Sequence, residues 1–348
     1  MTAVDLCPAA RAAIGEPVLS VEVLGGGRNS RVFAASTASR TVVVKYYYRA
    51  GDDPRDRQRT ERRALAFLAE NGVQCIPAVL HVDREQGFTI LSHVKGERID
   101  DDRMTLDDER DFAEFVEQLR DLSEAPGASD LDNASEAFFS LEGVLSNLEG
   151  RLTRLAWRPG DLPLAAELAG FLDGRFVPAL EDLSSRAKVY YRGVGLEIGQ
   201  EIDRSERVLS PSDFGLHNCV KSPEGLVFFD MEYFGWDDPA KLVSDFVLHP
   251  AQGRVGESRY RVAGRMAGLF MDRPGFAERL KALLPLFALK WCAIVLNEFL
   301  AGENARRAFA GRDRDYESVL RRQLGLAQAM LERAVSGDIA ARLIKQNR

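Results

Sequence analysis

The stretch at 208–220, with a second polar cluster at 228–232, constrains this chain more than any other part of it. Apolar residues flank each polar cluster, and a Ser-Pro-Glu-Gly sequence at 222–225 predicts a turn between two short strands. The pattern predicts that three side chains lie at strand ends and face one cleft: Asp213, Asn218 and Asp230. Phosphoryl transfer needs such a set, because one carboxylate orients or deprotonates an acceptor hydroxyl while an amide oxygen and a second carboxylate bind Mg²⁺. A polar β-turn between two buried strands would give a similar sequence without any catalytic role.

The spacing of these residues matches a known motif. Asp213 and Asn218 are five residues apart, which is the Asp-x-x-x-x-Asn spacing of a kinase catalytic loop, and Asp230 follows twelve residues later. At these residues the sequence resembles the aminoglycoside phosphotransferase and choline kinase-like branch of the kinase fold, whose Ile-Asp-Trp-Glu sequence corresponds to 229–232. One position departs from the family, because Pro211 stands where the family has a histidine that braces the loop.

The composition is that of an ordinary soluble globular protein, and 348 residues suffice for one large domain or two lobes. The formal net charge of −7 argues against binding to nucleic acid or to an anionic membrane, since both favour basic surfaces. Four cysteines lie far apart without metal-ligand spacing, which favours reduced thiols in the cytoplasm. The sequence shows neither a secretory leader nor about 18 uninterrupted apolar residues, so we expect a cytoplasmic protein without a membrane span.

A glycine-rich segment lies between two predicted strands near the N-terminus. Strand patterns at 18–24 and 32–35 flank the sequence Gly-Gly-Gly-Arg-Asn-Ser-Arg at 25–31. Glycine permits close backbone approach, so this turn suits a loop that folds over nucleotide phosphates. The candidate phosphate-binding residues are Gly25, Gly26, Gly27, Asn29 and Ser30. A simple β-hairpin with a flexible turn would have the same pattern. The strand that follows this segment favours the phosphate loop over the simple hairpin.

That element, at 41–48, is a β-branched and aromatic strand that carries a single charge, Lys45. An ammonium group inside a buried strand needs an anion, unless the strand is an edge strand with the lysine facing solvent. The resemblance implies that Lys45 is the phosphate-binding lysine. It also implies that Glu61, in a predicted helix at 55–70, is the glutamate that pairs with it. Without that context Glu61 would be one solvated charge among many on the helix.

The predicted strand at 88–96 ends the β-rich part of the chain. The resemblance implies that this strand is the hinge between two lobes, and that backbone groups around Ser92 and Val94 bind the adenine edge. A strand without a ligand is the alternative. We therefore predict an N-terminal nucleotide-binding lobe at 1–96 and a C-terminal helical lobe at 97–348, which carries the catalytic loop and the acceptor pocket.

Helical periodicity dominates the rest of the chain. It predicts helices at 106–123, at 135–157, from 164 towards 191, and at 312–348. Together these expectations define an α+β, bilobal protein-kinase-like fold. Its small lobe contains a five-stranded antiparallel sheet with one helix, and its large lobe is mainly helical.

Several polar residues outside the motif are predicted to be structural. Asp245 matches a family aspartate that anchors the catalytic loop, and we expect a structural role for Asp238 as well. We expect His217 to pack or hydrogen-bond within the loop rather than act as a base, and the four histidines look too scattered for a zinc site. Asn297 and Glu298 interrupt an apolar helix, either as the solvent side of a core helix or as part of the acceptor pocket.

These observations predict an ATP- and Mg²⁺-dependent phosphotransferase whose acceptor is a hydroxyl group on a small molecule. In this interpretation Lys45 holds the α/β-phosphates, Asn218 and Asp230 bind Mg²⁺, and Asp213 takes the acceptor's proton. Two alternatives stay open: a catalytically inactive nucleotide-binding regulatory protein on the same fold, and transfer of AMP instead of phosphate. The few C-terminal acids, such as Glu303, are interleaved with amide and arginine side chains. That mixture favours a sugar-like, polyhydroxylated acceptor over an aminoglycoside-like polycation.

Overall fold

The structure, a computed structural model, describes residues 6–25, 29–49, 55–156, 163–252, 256–300, 315–339 and 342–343. Its N-terminal part is a five-stranded antiparallel sheet, and its C-terminal part is mainly helical. The α+β architecture predicted from the sequence is therefore confirmed.

The sheet has the strand order β1-β2-β3-β5-β4. Its strands are β1 (Ser20–Gly25), β2 (Ser30–Ser36), β3 (Thr41–Tyr47), β4 (Val79–Asp83) and β5 (Phe88–Ser92). Strand β3 lies at the centre, where Lys45 is opposite Val32 of β2 and Thr89 of β5. This position excludes the edge-strand alternative for Lys45, because both neighbours of its strand are occupied. Strand β5 ends at Ser92, so the predicted strand was four residues too long.

Two helices pack with the sheet. Helix α1 (Pro8–Ile14) covers a small apolar core that includes Phe33 and Val44. Helix α2 (Arg57–Glu70) begins after Asp56, whose carboxylate accepts a hydrogen bond from the Arg59 N–H and so caps the helix. Capping by Asp56 starts the helix two residues later than the charge pattern predicted, and the buried face of α2 presents Glu61 to the sheet.

The C-terminal part is built around one long helix, α9, which packs against α4, α6, α7 and α10. The helices there are α3 (Leu106–Leu122), α4 (Leu141–Ala156), α5 (Ala165–Phe171), α6 (Val177–Gly193), α7 (Pro239–Leu248), α8 (Glu257–Gly268), α9 (Phe276–Val295) and α10 (Tyr316–Ser336). Among the described residues, Phe276–Phe299 is the one helical stretch long and apolar enough to cross a membrane, with a mean hydropathy of 1.6. Within it, 72% of the apolar 18-residue window is buried inside the protein, which is also typical of a core helix.

Two short strand pairs hold the polar motif of the sequence. Strand β6 (Val208–Ser210) pairs with β9 (Gly235–Asp237), and β7 (Cys219–Ser222) pairs with β8 (Gly225–Phe228). The chain between β6 and β7 contains Asp213, and the chain between β8 and β9 contains Asp230. Because β6 pairs with β9 and β7 pairs with β8, the loop with Asp213 and the loop with Asp230 lie side by side.

The predicted helix at 135–157 is wrong in its first part, because α4 begins only at Leu141. The preceding segment instead follows β9: the Ala134 N–H donates to the Trp236 carbonyl at 2.9 Å, and the Ser135 N–H donates to the Tyr233 carbonyl at 3.0 Å. Glu136 then adopts a left-handed φ of 60°. Tertiary hydrogen bonds have overridden the local helical pattern.

Gly235 is required for this close approach. A Cβ atom there would overlap the Asp132 carbonyl oxygen and lie 2.6 Å from the Ala134 nitrogen. We expect Gly235→Ala to lower the free energy of unfolding by about 1–3 kcal/mol, because backbone atoms would have to shift. Gly150→Ala is the matched control, since nothing lies within 4 Å of its Cβ position in α4; it should stabilise by about 0.5–1 kcal/mol. Urea unfolding measures both, and equal stability of the two variants would contradict the argument.

Candidate active site

Lys45 lies at the centre of a buried charge cluster that joins the sheet to the helical part. Its Nζ is 2.9 Å from Glu61 Oε2, 2.6 Å from Asp230 Oδ1 and 3.2 Å from Glu232 Oε2. Glu61 is itself fixed by the Tyr47 hydroxyl, which donates at 2.5 Å, and by the Met231 N–H, which donates at 3.1 Å. The structure thus brings together Lys45, Glu61 and Asp230, as the sequence predicted.

The cluster has more acids than bases. Burial lowers the pKa of Lys45, but Asp230, Glu61 and Glu232 outweigh it and raise that pKa well above its usual range. Burial and the neighbouring Asp230 raise the pKa of Glu232 to about 8, although Lys45 opposes them. Arg57 contributes a second cation, with its Nε 3.7 Å from Glu232 Oε1. At pH 7 an acid with the pKa of Glu232 is mostly protonated, so the negative charges of Glu61 and Asp230 balance the positive charges of Lys45 and Arg57. A cation bound beside Asp230 would favour the ionised form of Glu232.

Asn218 and Asp230 carry the oxygen atoms that a Mg²⁺ ion would use. The Asn218 side-chain NH₂ donates to the Asp213 carbonyl at 2.8 Å, which leaves the Asn218 amide oxygen for another partner. The Asn218 carbonyl accepts from the Phe229 N–H at 3.0 Å, so Asn218 is tied to the residue before Asp230. Asp230 has a left-handed φ of 65° and a side chain that is 25% exposed. Hard oxygen donors such as a carboxylate and an amide oxygen fit Mg²⁺.

Asp213 lies in the loop between β6 and β7 with its carboxylate held by two imidazoles. Its Oδ1 is 2.7 Å from His217 Nε2 and 3.0 Å from His249 Nε2. Burial raises the pKa of Asp213, but His249 and His217 outweigh it and hold that pKa well below its usual range. Burial lowers the pKa of His249, although Asp213 opposes this. Asp213 is therefore an ionised carboxylate whose side chain is still 28% exposed.

The loop is braced without the family's histidine at Pro211. Ser212, at a left-handed φ of 64°, donates its N–H to Ser210 Oγ at 2.9 Å. Its hydroxyl donates to the Ser135 carbonyl at 2.8 Å and accepts from Lys241 Nζ at 3.2 Å. The support that Pro211 cannot give therefore comes from the segment before α4 and from α7.

Two of the four histidines, His217 and His249, lie together in space, which corrects for this pair the expectation that the histidines are scattered. The His217 and His249 rings stack with centroids 4.0 Å apart and an interplanar angle of 8°. Together with Asp213 they form a group whose ligand atoms lie within 4.8 Å of one another, the size of a metal site. The Ala251 N–H, however, donates to His249 Nδ1 at 3.2 Å, so the ring proton of neutral His249 is on Nε2. Nε2 is also the nitrogen to which a metal in this group would have to bind. Hydrogen bonding describes this group better than metal coordination.

A buried ion network lies beneath the loop. Asp245 accepts hydrogen bonds from Lys290 Nζ at 2.9 Å and from Trp291 Nε1 at 2.6 Å, and it lies 3.1 Å from Lys241 Nζ. Lys241 also lies 2.7 Å from Asp237, whose pKa burial raises to about 6 against the effect of Lys241. Asp245 thus anchors elements below the loop, in agreement with its expected structural role.

Asp238 has a structural role of the expected kind. Its carboxylate caps α7 by accepting from the Ala240 N–H at 2.8 Å, and it lies 3.3 Å from Arg279 Nε of α9. Asp238 therefore connects α7 to α9 rather than lining the cleft.

The predicted phosphate loop is described in part. Gly26 and Gly27 lie outside the described residues, and Gly25 is the last residue of β1. Ser30 is buried as the first residue of β2. The Asn29 side-chain NH₂ donates to the Tyr233 hydroxyl at 2.5 Å, so it contacts the segment after Asp230. Tyr233 was missed from the sequence, although it directly follows the Asp-Met-Glu motif.

The backbone groups of the two predicted hinge residues, Ser92 and Val94, differ in whether strand pairing already uses them. The Ser92 N–H donates to the Ala78 carbonyl at 2.8 Å, and the Ser92 hydroxyl accepts from the Ala78 N–H at 2.9 Å. Strand pairing therefore already uses the Ser92 N–H, which is one of the backbone groups in the region predicted to bind the adenine edge. Val94 lies past the end of β5, so its backbone groups are not part of the sheet ladder.

Two acids of interest lie at the end of α9 and in the segment before α4. Glu298 is buried, and its carbonyl accepts from the Tyr316 hydroxyl at 2.9 Å, while Glu303 lies outside the described residues. Glu136, which sequence reasoning missed, is 34% exposed and accepts from Arg151 Nη2 at 2.5 Å. Burial raises the pKa of Glu136, but Arg151 outweighs it and lowers that pKa overall.

One protein-family model matches the part of the chain that contains most of this site. A model described as a phosphotransferase enzyme family matches residues 20–241, a range that contains Lys45, Glu61, Asp213, Asn218 and Asp230. Among curated protein sequences, none matches the chain significantly.

Several solved structures share the fold at low sequence identity. A spectinomycin phosphotransferase in complex with ADP and spectinomycin has a TM-score of 0.63 at 12% identity, covering 93% of this chain and 95% of that chain. A choline kinase from Streptococcus pneumoniae has a TM-score of 0.54 at 17% identity, covering 92% and 97%. A thermostable mutant of an aminoglycoside phosphotransferase, in ternary complex with ADP and hygromycin B, has a TM-score of 0.55 at 14% identity, covering 93% and 97%. At these identities the likeness establishes the fold.

Proposed function

The chain belongs to the phosphotransferase enzyme family, and we propose that it transfers the γ-phosphoryl group of ATP to a hydroxyl group of a small, polyhydroxylated metabolite. The observation that carries this proposal is that Lys45, from the N-terminal sheet, contacts Asp230, and that Asn218 is bonded both to Asp213 and to the residue before Asp230. ATP as the donor is supported by the ADP found in two of the related structures.

Each residue has a distinct part in the proposed reaction. Lys45, oriented by Glu61, places a positive charge against the phosphates, and Asn218 and Asp230 hold Mg²⁺, which neutralises charge on the phosphates when bound. The acceptor oxygen attacks the γ-phosphorus, the bond to the β,γ-bridging oxygen breaks, and ADP leaves. Asp213 orients the acceptor hydroxyl and takes its proton. The low pKa of Asp213 suits a late proton transfer, since positioning and charge neutralisation carry most of the acceleration.

The charges near Asp213 favour a polyhydroxylated acceptor over a polycationic one. Three carboxylates of the helical part already have basic partners among the described residues, in the pairs Asp237–Lys241, Asp245–Lys290 and Glu136–Arg151. A polycation would need several uncompensated carboxylates to replace its hydration. Hydroxyl groups instead both donate and accept, so they match a paired but partly exposed acid such as Glu136, which is 34% exposed.

The experiment that tests this function is a phosphorylation screen of sugars, polyols, amino alcohols and aminoglycosides with mass detection of the products. We expect a phosphorylated sugar or polyol in Mg²⁺ and none after chelation of the metal. A product carrying AMP would replace the phosphotransferase proposal with nucleotidyl transfer. Nucleotide binding without turnover of any acceptor would favour a regulatory protein. Turnover confined to aminoglycosides or choline would reject the acceptor class but not the reaction.

Glu136 provides a test of the acceptor site. The preceding residue, Ser135, is bonded to Ser212 of the catalytic loop, and the left-handed φ of Glu136 is of the kind found at functional sites. We expect Glu136→Gln to raise the acceptor KM by about 10–100-fold, the equivalent of a hydrogen bond to a charged group, and to leave the KM for ATP unchanged. Glu149→Gln, on the exposed side of α4, is the matched control. An unchanged acceptor KM in Glu136→Gln would place the pocket elsewhere.

A further inference from the structure

We propose that His249 is a positioning residue for phosphoryl transfer, which holds the Asp213 carboxylate in its reactive orientation from outside the catalytic loop. The inference rests on the proposed function, and it assigns a role to a residue that neither the motif nor the fold assigns. His249 follows α7, whereas Asp213 lies between β6 and β7.

The hydrogen-bonding direction at His249 is fixed by its other ring nitrogen. The Ala251 N–H donates to Nδ1, so in the neutral ring the proton is on Nε2. Nε2 is 3.0 Å from Asp213 Oδ1 and therefore donates to it. A single backbone contact thus selects the tautomer that can hold the carboxylate.

The ring of His249 is held between two other aromatic rings. His217 stacks on it at 4.0 Å, and Trp291 of α9 meets it edge-on, with ring centroids 4.3 Å apart. Trp291 is in turn fixed by Asp245, which accepts from its Nε1 at 2.6 Å. Lys290 and Lys241 neutralise Asp245 at 2.9 and 3.1 Å. The orientation of His249 is therefore set by the buried ion network between α7 and α9.

This arrangement leaves one oxygen of Asp213 for the substrate. His249 and His217 both reach Oδ1, and among the residues that the structure describes none is seen to donate to Oδ2. Two donors on one oxygen prevent rotation of the carboxylate, so Oδ2 keeps a fixed direction toward the acceptor hydroxyl. A small misplacement of a reacting group can cost about 100-fold in rate, which is the scale of effect that such a support can have. His249 and the Ser212 contacts together replace the brace that Pro211 cannot provide.

The kinetic test uses three substitutions of one residue. His249→Gln places an amide N–H near the position of Nε2, whereas His249→Asn places it near Nδ1, and His249→Ala has neither. We expect kcat to fall by about 10–100-fold in His249→Ala and in His249→Asn. His249→Gln should retain most of the wild-type kcat, and the KM for ATP should be unchanged in all three variants. His81→Gln, an exposed histidine of β4, is the matched control and should behave as wild type. A purely structural role predicts equal losses in Gln and Asn that follow the melting temperature, and that result would overturn the proposal.

An NMR measurement, which does not depend on enzyme turnover, tests the role of His249 separately from the proposed phosphotransferase function. The ¹⁵N chemical shifts of the His249 ring should show the Nε2–H tautomer in the wild type, and a changed Nε2 signal in Asp213→Ala. An Nδ1–H tautomer would overturn the proposal even in an active enzyme. Stoichiometric zinc in the purified protein that is lost in His249→Ala would overturn it too, in favour of a metal site. If no acceptor is ever phosphorylated but the Nε2–H signal responds to Asp213, the hydrogen bond stands and the reaction assignment fails.

Discussion

Replacing Asp213 with asparagine is expected to lower turnover by about two to four orders of magnitude while affinity for Mg-ATP changes little. The amide cannot take the proton of the acceptor hydroxyl. Its oxygen can still accept from His217 and His249, which approach Asp213 at 2.7 and 3.0 Å, so the loop should keep its shape. Steady-state kinetics with the acceptor found in the screen measure the rate, and nucleotide titration measures the affinity.

The matched control for this substitution is Asp173→Asn, an exposed aspartate that lies between α5 and α6. It should leave both turnover and nucleotide affinity at the wild-type level. Wild-type turnover in Asp213→Asn would remove this loop from the active site. A melting temperature that falls steeply in Asp213→Asn would instead show that its carboxylate is needed for folding.

Replacing Lys45 with methionine is expected to abolish measurable turnover and to destabilise the fold by about 3–5 kcal/mol. The substitution leaves Glu61, Asp230 and Glu232 buried together without the ammonium that they share. The pKa of Glu232 is already about 8 in the wild type, and loss of Lys45 removes an influence that lowers it. Folding raises the pKa of this acid, so between its unfolded and folded pKa values the folded state holds a proton that the unfolded state has lost. The free energy of unfolding therefore falls as the pH rises through that range. The variant should therefore unfold more easily at pH 8 than at pH 5.

A second substitution separates the two effects of Lys45→Met. In the double variant Lys45→Met/Glu61→Gln one of the uncompensated charges is gone, so stability should partly return while turnover stays absent. Urea unfolding at both pH values measures the stability. If Mg-ATP raises the melting temperature of Lys45→Met as much as that of the wild type, the nucleotide site does not include Lys45.

Much of the candidate site could be predicted from the sequence because its parts are local motifs. The five-residue spacing of Asp213 and Asn218, seen again in the Asn218 hydrogen bond to the Asp213 carbonyl, is a property of one loop. Lys45 was found because a charge in a β-branched strand stands out against its neighbours. The strands and most helices were found for a similar reason, since side-chain periodicity follows from backbone geometry.

Where sequence reasoning failed, a distant contact decided the outcome. Ser135, the first residue of the predicted helix at 135–157, bonds instead to the Tyr233 carbonyl, and Ala134 just before it bonds to the Trp236 carbonyl. Each of these hydrogen bonds satisfies a backbone group that the local pattern had assigned to another partner. No periodicity in the sequence signals such a bond, because its two ends belong to different elements.

The sequence by itself determined the order of the elements and the identity of Lys45, Asp213, Asn218 and Asp230. Only the tertiary structure decided what surrounds them. The packing of α7 against α9 sets His249 between His217 and Trp291 and so brings it to Asp213. The physical reason is that motif residues are fixed by neighbours along the chain, whereas the groups that orient them are fixed by the burial of whole helices.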